Sequence, residues 1–443
     1  MQLPALTRNA FWVTLTFGLR SLLRLASNVA LSRLLFPEAF GIMAVVNSLR
    51  TGMELLTDVG VGQNIVTNAN GASPDFFNTA WTVQIIRGLL LALFFALAAP
   101  FVSSLYEHMD LLLILYVFSL SFVLAGFQST GLYILQRTHR VREFELFGLY
   151  CESATTILLT AAAYFYPSVW VLVIGGILGS ALRAGASHLI GDAGRNRMLI
   201  VKAHLHEIVH FGKWVALSSV VFFLATNFDR LYLAKAIPLE VLGVYGVARS
   251  LTDVVSGLVA RIANLVAFPL VSSMAHLPRA EMMPAIGVPR LRFLLIASTG
   301  LALAFSASDL VVDLLYDTRY SAAAWMVPVL LAGVWFSILS VFAEAMLLGL
   351  GNPQFMALAN TAKLVFLVAA VPLGFALFGT PGALVAISAS DLPRYIFTIP
   401  LQIKVKAAFF VQDFAASLFL VAMTGIFTLL RQWLGLGTFL AFL

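Results

Sequence analysis

Apolar residues run in long blocks separated by short polar breaks. The blocks fall at 10–34, 39–62, 79–105, 111–136, 146–166 and 168–190. After a polar stretch at 192–210 they resume at 211–235, 239–270, 291–316, 322–349, 354–378 and 382–403. Runs of this length are too long for strands and match the ~20 residues a helix needs to cross a bilayer. The pattern predicts an all-α polytopic membrane protein with twelve core spans and one or two C-terminal segments. Residues 407–431 could form a thirteenth span, whereas 432–443 is too short to cross. The first block continues at span length without a small-residue cleavage site, so it reads as a first span and not as a signal peptide.

Sliding the chain against itself by 202 residues, with no gap, aligns Trp12 with Trp214, Val13 with Val215, Leu15 with Leu217, Leu22 with Leu224 and Leu31 with Leu233. Further on it aligns Glu38 with Glu240, Gly41 with Gly243, Val45 with Val247, and Ser48-Leu49 with Ser250-Leu251. Paired Trp, Glu, Gly and Ser at one offset point to a duplication. The expected organisation is an N-terminal six-helix bundle (1–191), a cytoplasmic linker (192–210), a C-terminal six-helix bundle (211–403) and extra C-terminal membrane sequence (404–443). Six spans between the copies give both halves the same orientation. Secondary transporters built on such parallel repeats place their site between the bundles near the midplane.

Composition narrows the class. Of the 443 residues 60% are hydrophobic and 11% charged, against about 25% charged in soluble domains. A soluble enzyme, a secreted disulfide scaffold and a disordered regulator are all excluded on that ground. The single Cys151 allows no intrachain disulfide, says nothing about redox compartment, and reads as a packed small residue.

The net charge of +6 is topological. With a cytoplasmic N-terminus, the inner loops hold Arg8, Arg137, Arg140, Arg142, Arg195, Arg197, Lys202, Lys213, Arg279, Arg290, Arg292, Lys404 and Lys406. The outer loops hold Arg33, Lys235, Arg319 and Arg431. This asymmetry follows the positive-inside rule and leaves no nucleic-acid signal.

Ten basic residues remain inside the spans: Arg20, Arg24, Arg50, Arg87, Arg183, Arg230, Arg249, Arg261, Lys363 and Arg394. Each would cost about 2.5–3.5 kcal/mol at the centre of a lipid-facing helix, so they are expected to face water or acidic partners. Helical phase groups Thr16, Arg20, Arg24, Ser27 and Asn28 on span 1, Asn47, Arg50, Glu54 and Asp58 on span 2, and Arg249, Asp253, Ser256 and Asn264 on span 8. Arg20, Arg24, Arg50 and Arg249 count to mid-span and, with Arg87, are the candidate cavity residues.

Arg50 with Glu54 and Arg249 with Asp253 are four apart and are open to a structural reading as ion pairs. Arg20 and Arg24 have no acid on their own helix. Arg183, Arg261 and Lys363 can snorkel to the cytoplasmic face, and Arg230 can pair with Asp229 or a headgroup. A guanidinium-rich cavity suits phosphate or carboxylate. A lipid pyrophosphate is the polyanion a membrane transporter commonly meets, though other anions stay open. Glu54, Asp58, Asp253, Glu344 and Asp391 are candidate coupling sites for H+ or Na+, with salt-bridge partnership as the alternative for each.

His206-Glu207-Ile208-Val209-His210 matches the H-E-x-x-H zinc pattern. It lies in the linker without a clear third ligand, and an amphipathic interfacial helix accounts for Leu205, Ile208, Val209 and Phe211. Gly349 and Gly351 before Asn352-Pro353 mark a tight turn, not a phosphate loop. No metal or cofactor is expected.

Residues 31–46, LSRLLFPEAFGIMAVV, carry a basic residue before a Pro-acidic-x-aromatic-Gly turn. Residues 207–251 carry Phe211-Gly212, Asp229-Arg230, Leu242-Gly243-Val244-Tyr245 and Ala248. Both segments resemble the bacterial polysaccharide (oligosaccharide) flippases of the multidrug/oligosaccharidyl-lipid/polysaccharide exporter superfamily. That resemblance implies two V-shaped six-helix halves in the bacterial inner membrane. By alternating access they would pass undecaprenyl-pyrophosphate-linked oligosaccharides outward, for exopolysaccharide, capsule or O-antigen synthesis.

The resemblance also implies a cationic cavity including Arg20, Arg24, Arg50 and Arg249, an ion gradient as drive, and polymerase and export machinery as partners. It implies no covalent chemistry. The alternatives are a peptidoglycan-precursor flippase, a multidrug or cation exporter of the same superfamily and, on the zinc pattern, an intramembrane metalloprotease.

Overall fold

The computed structural model describes the backbone of residues 3–58, 60–190, 196–263, 267–351 and 354–436, with side chains at 3–10, 211–218, 269 and 354 outside the description. Of the residues singled out above, Arg8, Arg195, Phe211, Gly212, Lys213, Trp214, Val215, Leu217, Asn264, Asn352 and Pro353 lie outside it wholly or in their side chains.

Eighteen α-helices and a short 3-10 helix (Thr318–Tyr320) follow one another among the described residues, with no strand. They are α1 (Leu3–Leu34), α2 (Pro37–Leu56), α3 (Val61–Thr67), α4 (Pro74–Leu105), α5 (Met109–Phe118), α6 (Leu120–Gly126), α7 (Gly131–Arg137), α8 (Val141–Phe165) and α9 (Val169–Ser187). There follow α10 (Lys202–Ala236), α11 (Leu239–Ile262), α12 (Phe268–Met274), α13 (Arg279–Ser306), α14 (Ser308–Leu315), α15 (Ala323–Gly349), α16 (Gln354–Ala389), α17 (Asp391–Lys404) and α18 (Phe410–Trp433).

Eight helical segments among the described residues are long and apolar enough to cross a membrane. Local chemistry starts and stops them. Pro37 and Pro74 open α2 and α4, and the Ser73 side chain accepts the Phe76 N–H at the start of α4. Gly379, at φ 65°, breaks α16 where blocks 354–378 and 382–403 meet. Gly351, at φ 82°, turns the chain after α15.

Two predicted spans end differently. Block 39–62 stops at Leu56 and resumes as α3. Asp58 Oδ1 accepts the Gly60 N–H at 2.9 Å, and Gly60 takes the left-handed conformation, so an Asx-type turn overrides the apolar run. Block 111–136 is likewise three short helices, α5 to α7. The polar stretch expected as a linker contributes its last nine residues to α10, which begins at Lys202.

The chain forms two compact units, residues 1–224 with 233–240 and residues 225–232 with 241–443. In the first, α1 packs on α8 and α4 on α6. Gly88 and Gly126 make the α4–α6 approach possible: a Cβ on Gly88 would lie 2.7 Å from the Phe122 carbonyl. Gly41 permits a still closer approach, because its Cβ would fall 1.9 Å from the Leu239 carbonyl oxygen. Residues 196–201 lie extended along α4, and alternate backbone N–H groups meet polar side chains of that helix. Arg197 donates to Asn78 Oδ1, Leu199 to Thr82 Oγ1 and Val201 to Thr79 Oγ1, at 2.8–3.1 Å. Cys151 is buried beside Leu132, Leu135 and Phe147, as a packed small residue should be.

In the second unit α15 is central, with 72% of its most apolar window buried against 17% for α18. α13 packs on α18, and α16 and α17 on α15.

Three cations assigned to loops hold the fold together instead. Arg137 Nη1 donates to the carbonyls of Ile65, Val66 and Asn68 at 2.6–3.1 Å, covering the open C-terminal end of α3. Arg431 pairs with Asp309 and donates to the Ser306 carbonyl. Arg290 pairs with Asp413, both about nineteen-twentieths buried, and Asp413 also accepts from Tyr395 at 2.5 Å. Counting charges along the chain cannot separate such pairs from loop charges, since the partners lie more than a hundred residues apart.

Removing one partner of a buried pair strands the other charge at a cost of about 3–5 kcal/mol. Arg290→Met is therefore expected to lower the thermal midpoint in detergent sharply. Arg290→Met/Asp413→Leu should recover most of the loss. A single variant as stable as wild type would contradict the pairing.

Candidate functional site

Each unit carries a polar constellation among its apolar helices. In the first unit the stripe predicted on span 1 splits. Arg20 turns to α8, where Nη2 donates to the Glu145 carbonyl at 2.6 Å and the guanidinium lies 3.5 Å from the Glu145 carboxylate and 3.7 Å from that of Glu152. Thr16 donates to the same Glu145 at 3.0 Å. Gly148 leaves the room: a Cβ there would sit 2.1 Å from Arg20 Nη2. Arg20 has no acid on its own helix, as expected, and its carboxylate partners come from α8. Arg24, one turn on, is exposed and has no ion pair among the described residues.

Arg50 Nε donates to Glu54 at 2.9 Å, and its guanidinium lies 5.9 Å from the Phe118 ring centroid. Arg87 is tied to the end of α2. It donates to Thr57 Oγ1 at 3.1 Å and to the Glu54 carbonyl, and lies 3.9 Å from Asp58. Of these groups Glu54, Asp58 and Arg87 line a cavity of about 660 Å³ among α2, α3, α4, α6 and α7, a volume in the range of small-ligand sites.

In the second unit two networks form. Arg249 lies 3.1 Å from Asp253 and 3.9 Å from Asp229, and Arg230 reaches Asp253 at 3.2 Å. The fully buried Tyr245 hydroxyl donates to Asp229, joining two pieces of the sequence signature. Beside α15, Arg394 grips Glu344 through two bonds of 2.6 Å and reaches Asp391 at 3.1 Å, while Lys363 holds Asp391 at 2.8 Å. Four cations meet four carboxylates across the two networks. Lys363 is an ion-pair partner here and not a snorkelling group.

All five acids expected as coupling sites are engaged by tethered cations. Glu344 and Asp391 are buried, whereas the Asp253 side chain is 44% exposed. Helical phase found the pairs within one helix. It could not find Glu145 and Glu152 for Arg20, Lys363 for Asp391 or Arg394 for Glu344, since those contacts depend on how helices pack.

In the zinc pattern the two histidines and the glutamate part company. His206 and His210 stack with ring centroids 6.2 Å apart, but Glu207 turns away to accept from Asn68 at 2.9 Å. Ile208 is buried with Val61, Ile65, Phe76 and Ala80. Among the described residues no group of three His, Cys, Asp or Glu is placed to hold a metal ion. His206→Ala is expected to change stability by no more than about 0.5 kcal/mol, and zinc should not raise the thermal midpoint. A zinc-dependent rise of several degrees would reinstate the site.

Comparison with known proteins fits this frame. The chain is 23% identical to the lipopolysaccharide biosynthesis protein WzxC of Escherichia coli K12 over 236 residues, 51% of this chain and 46% of that protein. It is 20% identical to the teichuronic acid biosynthesis protein TuaB of Bacillus subtilis 168, over 49% of this chain and 45% of that one. It is 24% identical to the amylovoran biosynthesis protein AmsL of Erwinia amylovora, over 57% and 66%. The match thus spans about half the length of the first two relatives.

Among solved structures, the lipid II flippase MurJ in an inward closed conformation superposes with a TM-score of 0.76 at 13% identity, covering 97% of both chains. An inward-facing multidrug resistance MATE family transporter of the MOP superfamily gives 0.67 at 13% identity, covering 92% of this chain and 96% of that one. The fold is that of these multi-pass, all-helical membrane transporters. Residues 30–325, about two thirds of the sequence, match the model of one family, and the chain belongs to that family, the polysaccharide biosynthesis proteins.

Proposed function

We propose that the chain is a flippase for undecaprenyl-pyrophosphate-linked oligosaccharides, carrying the headgroup from the cytoplasmic to the outer leaflet of the bacterial inner membrane. The N-terminus is cytoplasmic in this reading, as the distribution of loop cations suggests. The observation that carries the proposal is Arg24. A mid-helix guanidinium, exposed and without a described carboxylate partner, is too costly to leave in lipid and suits the doubly charged pyrophosphate.

Arg50 and Arg249 are each held in place by a neighbouring acid and can exchange part of that pairing for phosphate oxygens. Asp253, the most exposed of the five candidate coupling acids, is the group we assign to ion coupling. Neither step forms or breaks a covalent bond.

Deleting the gene tests the proposal in cells. Lipid-linked oligosaccharide should accumulate and stay shielded from impermeant periodate in spheroplasts. Expression of the chain should restore oxidation at the outer face. Unchanged outward exposure and normal polymer in the deletion strain would refute it.

A further inference from the structure

The cavity of the first unit has chemistry unlike that expected of a pyrophosphate site. Its charged lining is one guanidinium, Arg87, against two carboxylates, Glu54 and Asp58. Arg87 is already spent on Thr57, the Glu54 carbonyl and Asp58. A pyrophosphate there would find two carboxylates at close range and no uncommitted cation, since Arg50 is likewise paired with Glu54.

The rest of the polar wall is neutral, and of it Gln84 and Thr67 are spent on backbone carbonyls. The side-chain amides of Gln63, Gln128 and Gln136 line the cavity and have no hydrogen-bond partner among the described residues. Each amide offers a donor pair and an acceptor, a combination that matches vicinal hydroxyls. Glu54 and Asp58 each use one carboxylate oxygen internally, on Arg50 and on the Gly60 N–H, which leaves the other able to accept from a hydroxyl. The Tyr133 ring forms an apolar wall, seated directly over Gly62, where a Cβ would lie 2.6 Å from the ring.

We infer that this cavity binds the sugar portion of the substrate, a neutral or amino-substituted oligosaccharide, and that the pyrophosphate binds elsewhere. The inference rests on the flippase reading for where the sugar comes from, but its ligand chemistry stands on the lining alone. The wall predicts recognition by hydroxyl patterns and little dependence on the lipid.

The test uses the purified full-length chain in detergent. The saccharide probe is the water-soluble oligosaccharide released by mild acid from the lipid-linked intermediates of the strain that carries this chain. Inorganic pyrophosphate and tetraphenylphosphonium are the comparison probes. Wild type should bind the oligosaccharide saturably. Gln128→Leu/Gln136→Leu should bind it about tenfold or more weakly, as expected for two lost hydrogen bonds in a partly closed site, with pyrophosphate affinity unchanged.

Equal saccharide affinity in the two proteins, or none in wild type, would overturn the inference. So would a selective loss of pyrophosphate or tetraphenylphosphonium binding in the variant, which would assign the cavity to an anion or an organic cation. A second measurement is independent of the leucine variant. In a Cys151→Ser background, maleimide labelling of Gln136→Cys should slow when the oligosaccharide is added, and an unaltered rate would also overturn it. Binding of the free oligosaccharide by a chain that does not move the lipid-linked form would refute the flippase reading and uphold the cavity.

Discussion

Arg24→Ala is expected to lower leaflet exchange of a lipid-linked oligosaccharide about a hundredfold while leaving expression, insertion and thermal midpoint near wild type. Truncating one member of a desolvated charge pair costs about 2–5 kcal/mol, and the missing member here is one the protein does not supply. Arg24 has no carboxylate to strand among the described residues, so its removal should not disturb folding. Arg24→Lys should recover part of the rate, because an ammonium keeps the charge but loses the two-pronged geometry.

The neighbouring Arg20→Ala should behave in the opposite way. It uncovers Glu145 and Glu152 at the α1–α8 contact, and its main effect is expected on stability. If the two variants failed in the same manner, Arg24 would have no special part in transport.

Arg394→Ala is expected to destabilise the second unit by about 3–5 kcal/mol. It removes both bonds to Glu344, whose side chain is 5% exposed, and leaves Lys363 as the only described cation on Asp391. Thermal unfolding in detergent, followed by near-ultraviolet circular dichroism, should show the loss. Arg394→Leu/Glu344→Leu should restore much of the stability, since it withdraws both charges and leaves the Lys363–Asp391 pair intact. An undiminished midpoint in Arg394→Ala would mean that the network does not hold α15 and α17 together.

Much of the architecture could be read from the chain. Long apolar blocks marked the membrane helices, and the junction at Gly379 fell between two of them. The Gly349–Gly351 turn, the packed Cys151 and the within-helix pairs Arg50–Glu54 and Arg249–Asp253 could be read as well, because each depends on local spacing.

What depends on packing between distant segments could not be read. Arg20 and Glu145 are 125 residues apart, and Arg290 and Asp413 are 123 apart. No helical phase relates them. The break at Thr57–Gly60 was hidden because apolar residues continue on both sides of a short polar turn. The Asn78, Thr79 and Thr82 row on α4 stands out as polar in an apolar helix, yet its partners are backbone N–H groups of an extended segment. Backbone groups leave no trace in a side-chain pattern.

The most direct measurement is leaflet exchange in proteoliposomes, with a fluorescent undecaprenyl-pyrophosphate oligosaccharide and an imposed H+ or Na+ gradient as the variable. The expected result is exchange that requires the protein, responds to the gradient and is lost in Arg24→Ala. Absence of exchange, together with efflux of an organic cation from the same liposomes, would contradict the flippase assignment and make the chain an exporter of cations.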